Sequence, residues 1–336
     1  MPFNSRLICL GLMMLSVVFL GSTTAVAASS PQSLTIRVAP GSAISTLAAG
    51  IAEFRRRYRG EAEVRIAVAP GVYRNETVVL DPFAPSIRQI VIAGSGKTPD
   101  QTIFDGSMVA PSSLPKSWLS IKAQYGRPSN VIIENITVRN YRQAIIFYGS
   151  KQNAAKWNGG NIVRNMSFRN IGVFGNNPGK SFSAIILVNS RNNIISNNYF
   201  FNIENVNSCR GMHSIYLRSM SSNNRIENNI FEKGCGDQIK FRDASNNNIV
   251  SDNTFINQSG FALAVDSYCV KGREGCATTE CPSKGNSVLR SRVKSTDPTL
   301  AAPSTVRTVG PAAQQHCEAS FSPRLSGKQT LLERIN

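Results

Sequence analysis

Short alternations of polar and apolar residues, separated by asparagine-rich corners, recur through the middle of the chain. The runs are ENITVRN (134–140), RNMSFRN (164–170), NNYFFN (197–202), NNIFEK (228–233) and DNTFIN (252–257). Their aligned apolar positions, Val138, Phe168, Phe200, Phe231 and Phe255, stand 30, 32, 31 and 24 residues apart. A recurrence of that length signals a solenoid, because each unit buries its apolar face only by stacking on the next. Each run is followed by a second alternating segment: AIIFYGS (144–150), AIILVNS (184–190), HSIYLRS (213–219), DQIKFRD (237–243) and FALAVDS (261–267). These segments are short, β-branched or aromatic at period two and bounded by Asn, Gly and Ser, so they predict strands.

One coil per repeat, stacked on its neighbour, satisfies the pattern with an all-β parallel β-helix. Strands then pair one coil apart at about 4.8 Å, and the asparagines occupy turns where a left-handed backbone suits them. Leucine-rich repeats would need a tighter L-x-x-L-x-L frame and helical repeats a period of 3.6; neither is present, nor is the Gly-Asp-rich calcium nonapeptide. Further strands are expected from Val64 onward in EVRIAVAP, TVVL, QIVIAGS, TIFDGS and LSIKA, separated by Pro-Gly, Asp-Pro and Gly-Ser-Gly turns. Residues 41–60 predict the one amphipathic helix. Ile44, Leu47, Ile51, Phe54 and Tyr58 share a face, Ser45 is placed as N-cap, and Gly60 follows the end. Such a helix would cap the open apolar end of the coil stack, with Arg55, Arg56 and Arg57 as its solvated terminus.

The first residues read as an export leader. Arg6 precedes an apolar run over 7–20, and Ala25-Val26-Ala27 offers a cleavage site. The expected organisation is therefore a leader at 1–27, a segment with the capping helix at 28–60, the β-helix at 61–294 and an irregular Pro/Ser/Thr/Ala-rich tail at 295–336, tethered by Cys317. The mature protein is expected in the periplasm or outside the cell, off the membrane once the leader is cleaved, and as a monomer. Cys9 leaves with the leader, so six cysteines remain: Cys209, Cys235, Cys269, Cys276, Cys281 and Cys317. An even number in an exported chain points to disulfides. Cys209 precedes His213 by four residues and Cys235 precedes Asp237 by two, which pairs those two across successive coils. The other four group around the 269–281 loop and the tail. A metal site is disfavoured, since the mature histidines are only His213 and His316 and no paired C-x-x-C frame exists.

The helix followed by RIAVAPGVYRNETVVL (65–80), IVIAGSGKTPDQTIFDGS (90–107) and the Asn-rich coils through residue 267 resembles the pectate-lyase-like superfamily of right-handed parallel β-helices. The resemblance covers most of the mature chain and implies fold far more than reaction, because that superfamily includes lyases, hydrolases, esterases, epimerases and binding proteins. Its members that cleave acidic polysaccharides use Lys or Arg as base, some with calcium. Calcium is therefore the one cofactor the resemblance leaves open. GMHS (211–214) and QIK (238–240) resemble elements of the polygalacturonase-like hydrolases, but the clustered aspartates of that two-carboxylate chemistry are missing. GVYRNE (71–76) is similar to a pectin methylesterase strand without that enzyme's Gln and Asp motifs, and the Asp-Pro-His-Asp stretch of mannuronan epimerases is also missing.

Charge narrows the partner. The chain carries 37 Lys+Arg against 20 Asp+Glu, net +17, and removing residues 1–27 takes away only Arg6. In an exported β-helix that balance favours a polyanion such as a uronate-containing polysaccharide; nucleic acid is disfavoured by export and by the lack of a binding motif.

Aligning the second strands on their closing residues places Ile146, Ile186, Ile215, Ile239 and Leu263 in one core column and Tyr148, Val188, Leu217, Phe241 and Val265 in another. Phe147, Leu187, Tyr216, Lys240 and Ala264 then face out, beside Gly149, Asn189, Arg218, Arg242 and Asp266. Tyr216, Arg218, Lys240 and Arg242 would thus meet on one outer face, where like charges favour a neutral lysine. β-Elimination from a uronate needs that set: Lys240 as base, Arg242 or Arg218 to neutralise the carboxylate, and Tyr216 or His213 as acid. Gln238, Asp237 and Asp266 complete the set as substrate-binding residues. The same side chains would otherwise make a solvated surface ladder, His213 a structural residue paired with Asp237, and Trp118 and Trp157 packing residues instead of sugar platforms. The rival classes are a non-catalytic glycan-binding β-helix of the cell envelope and a structural component of an export assembly.

Overall fold

Alternation sets the inward face of each strand, and the corners set how strands follow one another into three parallel sheets. The computed structural model describes residues 33–81, 83–107, 117–122, 126–172, 183–205, 209–258, 263–269, 275–276 and 279–294, with 306–309, 317, 326–328 and 331–332. The leader expected at 1–27 lies outside them. Sheet 1 runs from Ser33–Val38 and Glu63–Val68 through Ile194–Ser196 to Ser326–Lys328. Sheet 2 runs from Gly71–Arg74 through Thr137–Arg139, Ser167–Arg169, Tyr199–Phe201, Ile230–Glu232 and Thr254–Ile256 to Leu331–Leu332. Sheet 3 contains Val78–Leu80, Leu119–Lys122, Ile145–Tyr148, Ser183–Val188, His213–Arg218, Ile239–Arg242, Ala264–Ser267 and Val306–Val309. The chain passes from sheet 1 to 2 to 3 and back, one coil at a time. This is the expected right-handed parallel β-helix.

The repeat alignment is found in the register of sheet 2. Val138, Phe168, Phe200, Phe231 and Phe255 are successive partners. The four phenylalanine rings stack with centroids 4.8–4.9 Å apart and planes within 17°. That is the inter-strand spacing, so each ring follows its backbone and the column fills the core without gaps.

Asparagines hold the corners in two ways. Asn135, Asn165, Asn197 and Asn228 take positive φ, 52° to 58°, where an amide residue is better tolerated than other side chains. A different set holds the corner that leads into sheet 1: Asn161, Asn193, Asn224, Asn248 and Asn286 are buried, and each of the first four donates its Nδ2 to the next Oδ1 at 2.7–2.9 Å. Each also donates its main-chain N–H to that same oxygen. A second ladder, Asn198–Asn229–Asn253, runs along the corner between sheets 1 and 2. Main-chain groups that a tight corner leaves unpaired are thereby satisfied inside the solenoid.

Three boundaries differ from expectation. The helix is Leu47–Arg57, with Thr46 and not Ser45 as N-cap, because Thr46 Oγ1 accepts from the Ala49 N–H at 3.1 Å. It buries Leu47, Ile51 and Phe54, and Gly50 lies so close to the first strand that a Cβ there would meet Val38 at 2.6 Å. Strand Ser33–Val38 precedes it and pairs in parallel with Glu63–Val68, so the solenoid begins before residue 61. The tail, expected to be irregular, supplies strands to all three sheets, and Cys317 is tethered to Cys281. Among the described residues no helix is long and apolar enough to cross a membrane.

Candidate functional site

The outer face of sheet 3 carries the candidate chemistry, with a register that corrects the expected columns. Ile145, Ile185, Ile215, Ile239 and Ala264 are partners, as are Phe147, Leu187, Leu217, Phe241 and Asp266. Ile146, Ile186, Tyr216, Lys240 and Val265 form the next row, and Tyr148, Val188, Arg218 and Arg242 another. Aligning on closing residues slipped the first two coils and the last by one position, and a slip of one turns every side chain over. Ile146, Ile186 and Val188 therefore cluster apart from the main core, and Phe147 and Leu187 lie within it.

Tyr216, Arg218, Lys240 and Arg242 do meet on the outer face. Tyr216 is the centre: Lys240 Nζ lies 5.4 Å and Arg218 Cζ 5.9 Å from its ring centroid, and Arg242 Nη1 donates to its hydroxyl at 3.0 Å. The two arginines differ in what they already hold. Arg242 binds the Glu280 carboxylate through Nε and Nη2, and Glu280 also accepts from the Cys269 N–H. Burial alone would lower the Arg242 pKa, but Glu280 and Tyr216 more than offset it and keep the guanidinium charged. Arg218 has a buried Nε with no acceptor among the described residues.

Lys151, which the sequence pattern did not single out, joins this group. Its pKa is lowered first by the charge of Arg218, then by burial and Arg242. It follows the strand Ile145–Tyr148 in a turn, outside any alternation, so no periodic signal marked it.

The remaining expected residues are spent within the protein. Gln238 accepts from Ser214 Oγ at 2.7 Å and donates to Gly236 O. Asp266 does not continue the Arg218–Arg242 row; its carboxylate accepts from Ser283 N and Oγ, both at 2.9 Å, and burial raises its pKa to about 6. Asp237 is buried and meets His213 through its main-chain carbonyl at 2.7 Å from Nδ1, a different pairing from the expected carboxylate contact. Trp118 is fully buried against Phe104. Cys209 and Cys235 carry no disulfide and are hydrogen-bonded to each other, whereas Cys269–Cys276 and Cys281–Cys317 are bridged. No three His, Cys, Asp or Glu cluster as metal ligands among the described residues, and Asp266 and Glu280 are already engaged, so these residues do not fit a protein-held calcium ion.

Burial, then the charge of Lys240, pull the His213 pKa from 6.5 to about 3, partly opposed by the Asp237 carbonyl. Its neutral ring donates one hydrogen bond inside the fold and has no proton to give at neutral pH. Since the folded pKa is depressed, the unfolded chain takes up the proton first on acidification, and the stability tied to neutral His213 is lost as pH falls below about 6.5. His213→Asn, which keeps a donor near Nδ1 but does not titrate, is expected to narrow its stability deficit against the parent between pH 7.5 and 4.5. Urea unfolding at several pH values measures this, and a deficit independent of pH would contradict it.

No protein-family profile and no curated protein matches the sequence. The parallel β-helix fold is nonetheless shared with solved structures. It is similar to an alginate lyase from Paenibacillus sp. str. FPU-7 at 11% identity and TM-score 0.51, over 83% of this chain and 99% of that one. It is also similar to the catalytic domain of a GH87 alpha-1,3-glucanase in complex with tetrasaccharides, at 16% identity and TM-score 0.50, over 80% of this chain and 46% of that one.

Proposed function

We propose that the protein is an exported β-helix acting on a uronate-containing polysaccharide, by β-elimination or by the related C5 epimerisation. The observation that carries this is Arg218. Its donor group is unspent beside Tyr216, Lys240 and Lys151, while Arg242 is already neutralised by Glu280. Arg218 is therefore the guanidinium that pairs with the substrate carboxylate, which makes the C5 proton acidic. Lys240, with Lys151 as its alternative, is the base that removes that proton. The Tyr216 hydroxyl protonates the departing O4 as the C4–O bond breaks and the C4–C5 double bond forms. In epimerisation the proton returns to C5 from the opposite face. The fold shared with an alginate lyase supports a polysaccharide substrate. Two disulfides and the leader-like start support export. The second reading, a non-catalytic glycan-binding face, draws support from Arg242, Asp266 and Gln238 being tied into the protein.

The test is the mature protein on alginate, polygalacturonate and other acidic polysaccharides, with and without calcium. Ultraviolet absorbance reads the unsaturated product, and deuterium exchange at C5 reads epimerisation. Either signal is the expected result; binding without either would leave the second reading.

A further inference from the structure

The outer face of sheet 2 holds a groove of about 580 Å³, separate from the cationic face of sheet 3. Its wall is the turn at 97–101, fastened to the sheet by Asp100, which accepts from Thr137 Oγ1 at 2.8 Å and pairs with Arg169 at 3.4 Å. Asn135 holds the base of that turn by donating to Gly94 O and Gly96 O. The floor contains Tyr199 and Ile230, register partners on adjacent coils. Tyr199 is fixed in place, its hydroxyl donating to Glu232 at 2.7 Å and the Arg169 guanidinium lying 5.2 Å from its ring centroid. Ile230 is 41% exposed.

The rim has a feature the fold does not use. Asn165, Asn197 and Asn228 are exposed, line the groove at one-coil intervals, and their side-chain amides make no hydrogen bond among the described residues. The contrast is with Asn135 in the same corner row, whose amide is spent on the wall. Positive φ at all of these positions fixes where the amides project.

We propose that this groove binds a glycan chain lying along the solenoid axis, at a site distinct from the Tyr216–Lys240 face. The coil spacing of about 4.8 Å is close to the length of one pyranose, so successive rings meet Tyr199 and Ile230 while their hydroxyls meet successive asparagine amides. An aromatic and an aliphatic floor with a few convergent polar groups is the usual make-up of a small-ligand site. Charge selects the class of sugar. Arg169 is met by Asp100, which leaves Lys97 as the one uncompensated charge among the lining residues, so the groove suits an uncharged, hydroxyl-rich chain where the sheet 3 face suits carboxylates.

The experiment is calorimetric titration of the mature protein with hexasaccharides of alpha-1,3-glucan, of cellulose and of alginate, at low and high salt. An uncharged hexasaccharide is expected to bind with little salt dependence, and Tyr199→Ala and Ile230→Asp each weaken it by about tenfold. Tyr199→Phe, which keeps the ring, retains binding and guards against misfolding of the alanine variant. Binding that survives both Tyr199→Ala and Ile230→Asp overturns the groove. So does binding of alginate alone, abolished by Lys240→Ala and untouched by Tyr199→Ala, though it would leave the uronate reading of sheet 3 standing. Failure of all three sugars to bind also overturns the groove.

Discussion

Lys240→Ala is expected to lower turnover of the uronate polysaccharide by about 10²–10⁴-fold, the usual contribution of a positioned proton acceptor. The loss should fall on kcat with little change in KM, because the carboxylate stays with Arg218. Folding should be unaffected: Lys240 is on the outer face, half-buried, and its neighbours Ile239 and Phe241 supply the core contacts of that strand. Arg218→Ala should raise KM strongly and lower kcat as well, since the same guanidinium binds the carboxylate and makes the C5 proton acidic. Arg242→Ala cannot be read the same way, since it strands the Glu280 carboxylate, whose side chain is 8% exposed, and so disturbs the fold before the chemistry. Lys151→Ala separates the two lysines. If it removes turnover while Lys240→Ala does not, the base moves to Lys151. If neither does, the mechanism is wrong. Steady-state rates on the substrate found by the polysaccharide panel decide it.

The fold was legible because its signal is repeated: one phenylalanine per coil and asparagine at each corner leave little room for another architecture. The site was legible only where the alternation is unbroken. In HSIYLRS and DQIKFRD the inward residues are large and the outward ones charged, so Tyr216, Arg218, Lys240 and Arg242 were placed on the outside from pattern alone. In AIIFYGS and AIILVNS both parities are apolar, and nothing in composition distinguishes Ile145 from Ile146. Their register is set by hydrogen bonds to the next coil, which the sequence does not display. Lys151 and Glu280 lie in loops, where reach depends on the three-dimensional course of the chain. Leu34, Ile36 and Val38, by contrast, alternate as clearly as any strand and mark a first coil ahead of the helix.

Asn224→Ala is expected to destabilise the protein by roughly 3–5 kcal/mol, since each buried group left unpaired costs about 1–3 kcal/mol and the network strengthens its members. Asn224 Oδ1 accepts from both the main-chain N–H and the Nδ2 of Asn193, and its Nδ2 donates to Asn248 and to Ser190 O. Alanine removes all of these and leaves the Asn193 N–H buried without an acceptor. Asn228 tests the alternative, that asparagine serves only the turn. It is exposed at φ 56°, with no side-chain hydrogen bond among the described residues, so alanine there meets only the backbone penalty of about 1–2 kcal/mol. Glycine separates the two roles. Asn228→Gly should recover most of the loss, because glycine accepts positive φ freely, whereas Asn224→Gly should be at least as damaging as alanine. Denaturant unfolding of the four variants gives the comparison. A loss at Asn224 no larger than at Asn228, or one that glycine recovers, would show that the buried amides are not what holds successive coils together, and the stability of the solenoid would then rest on its phenylalanine column.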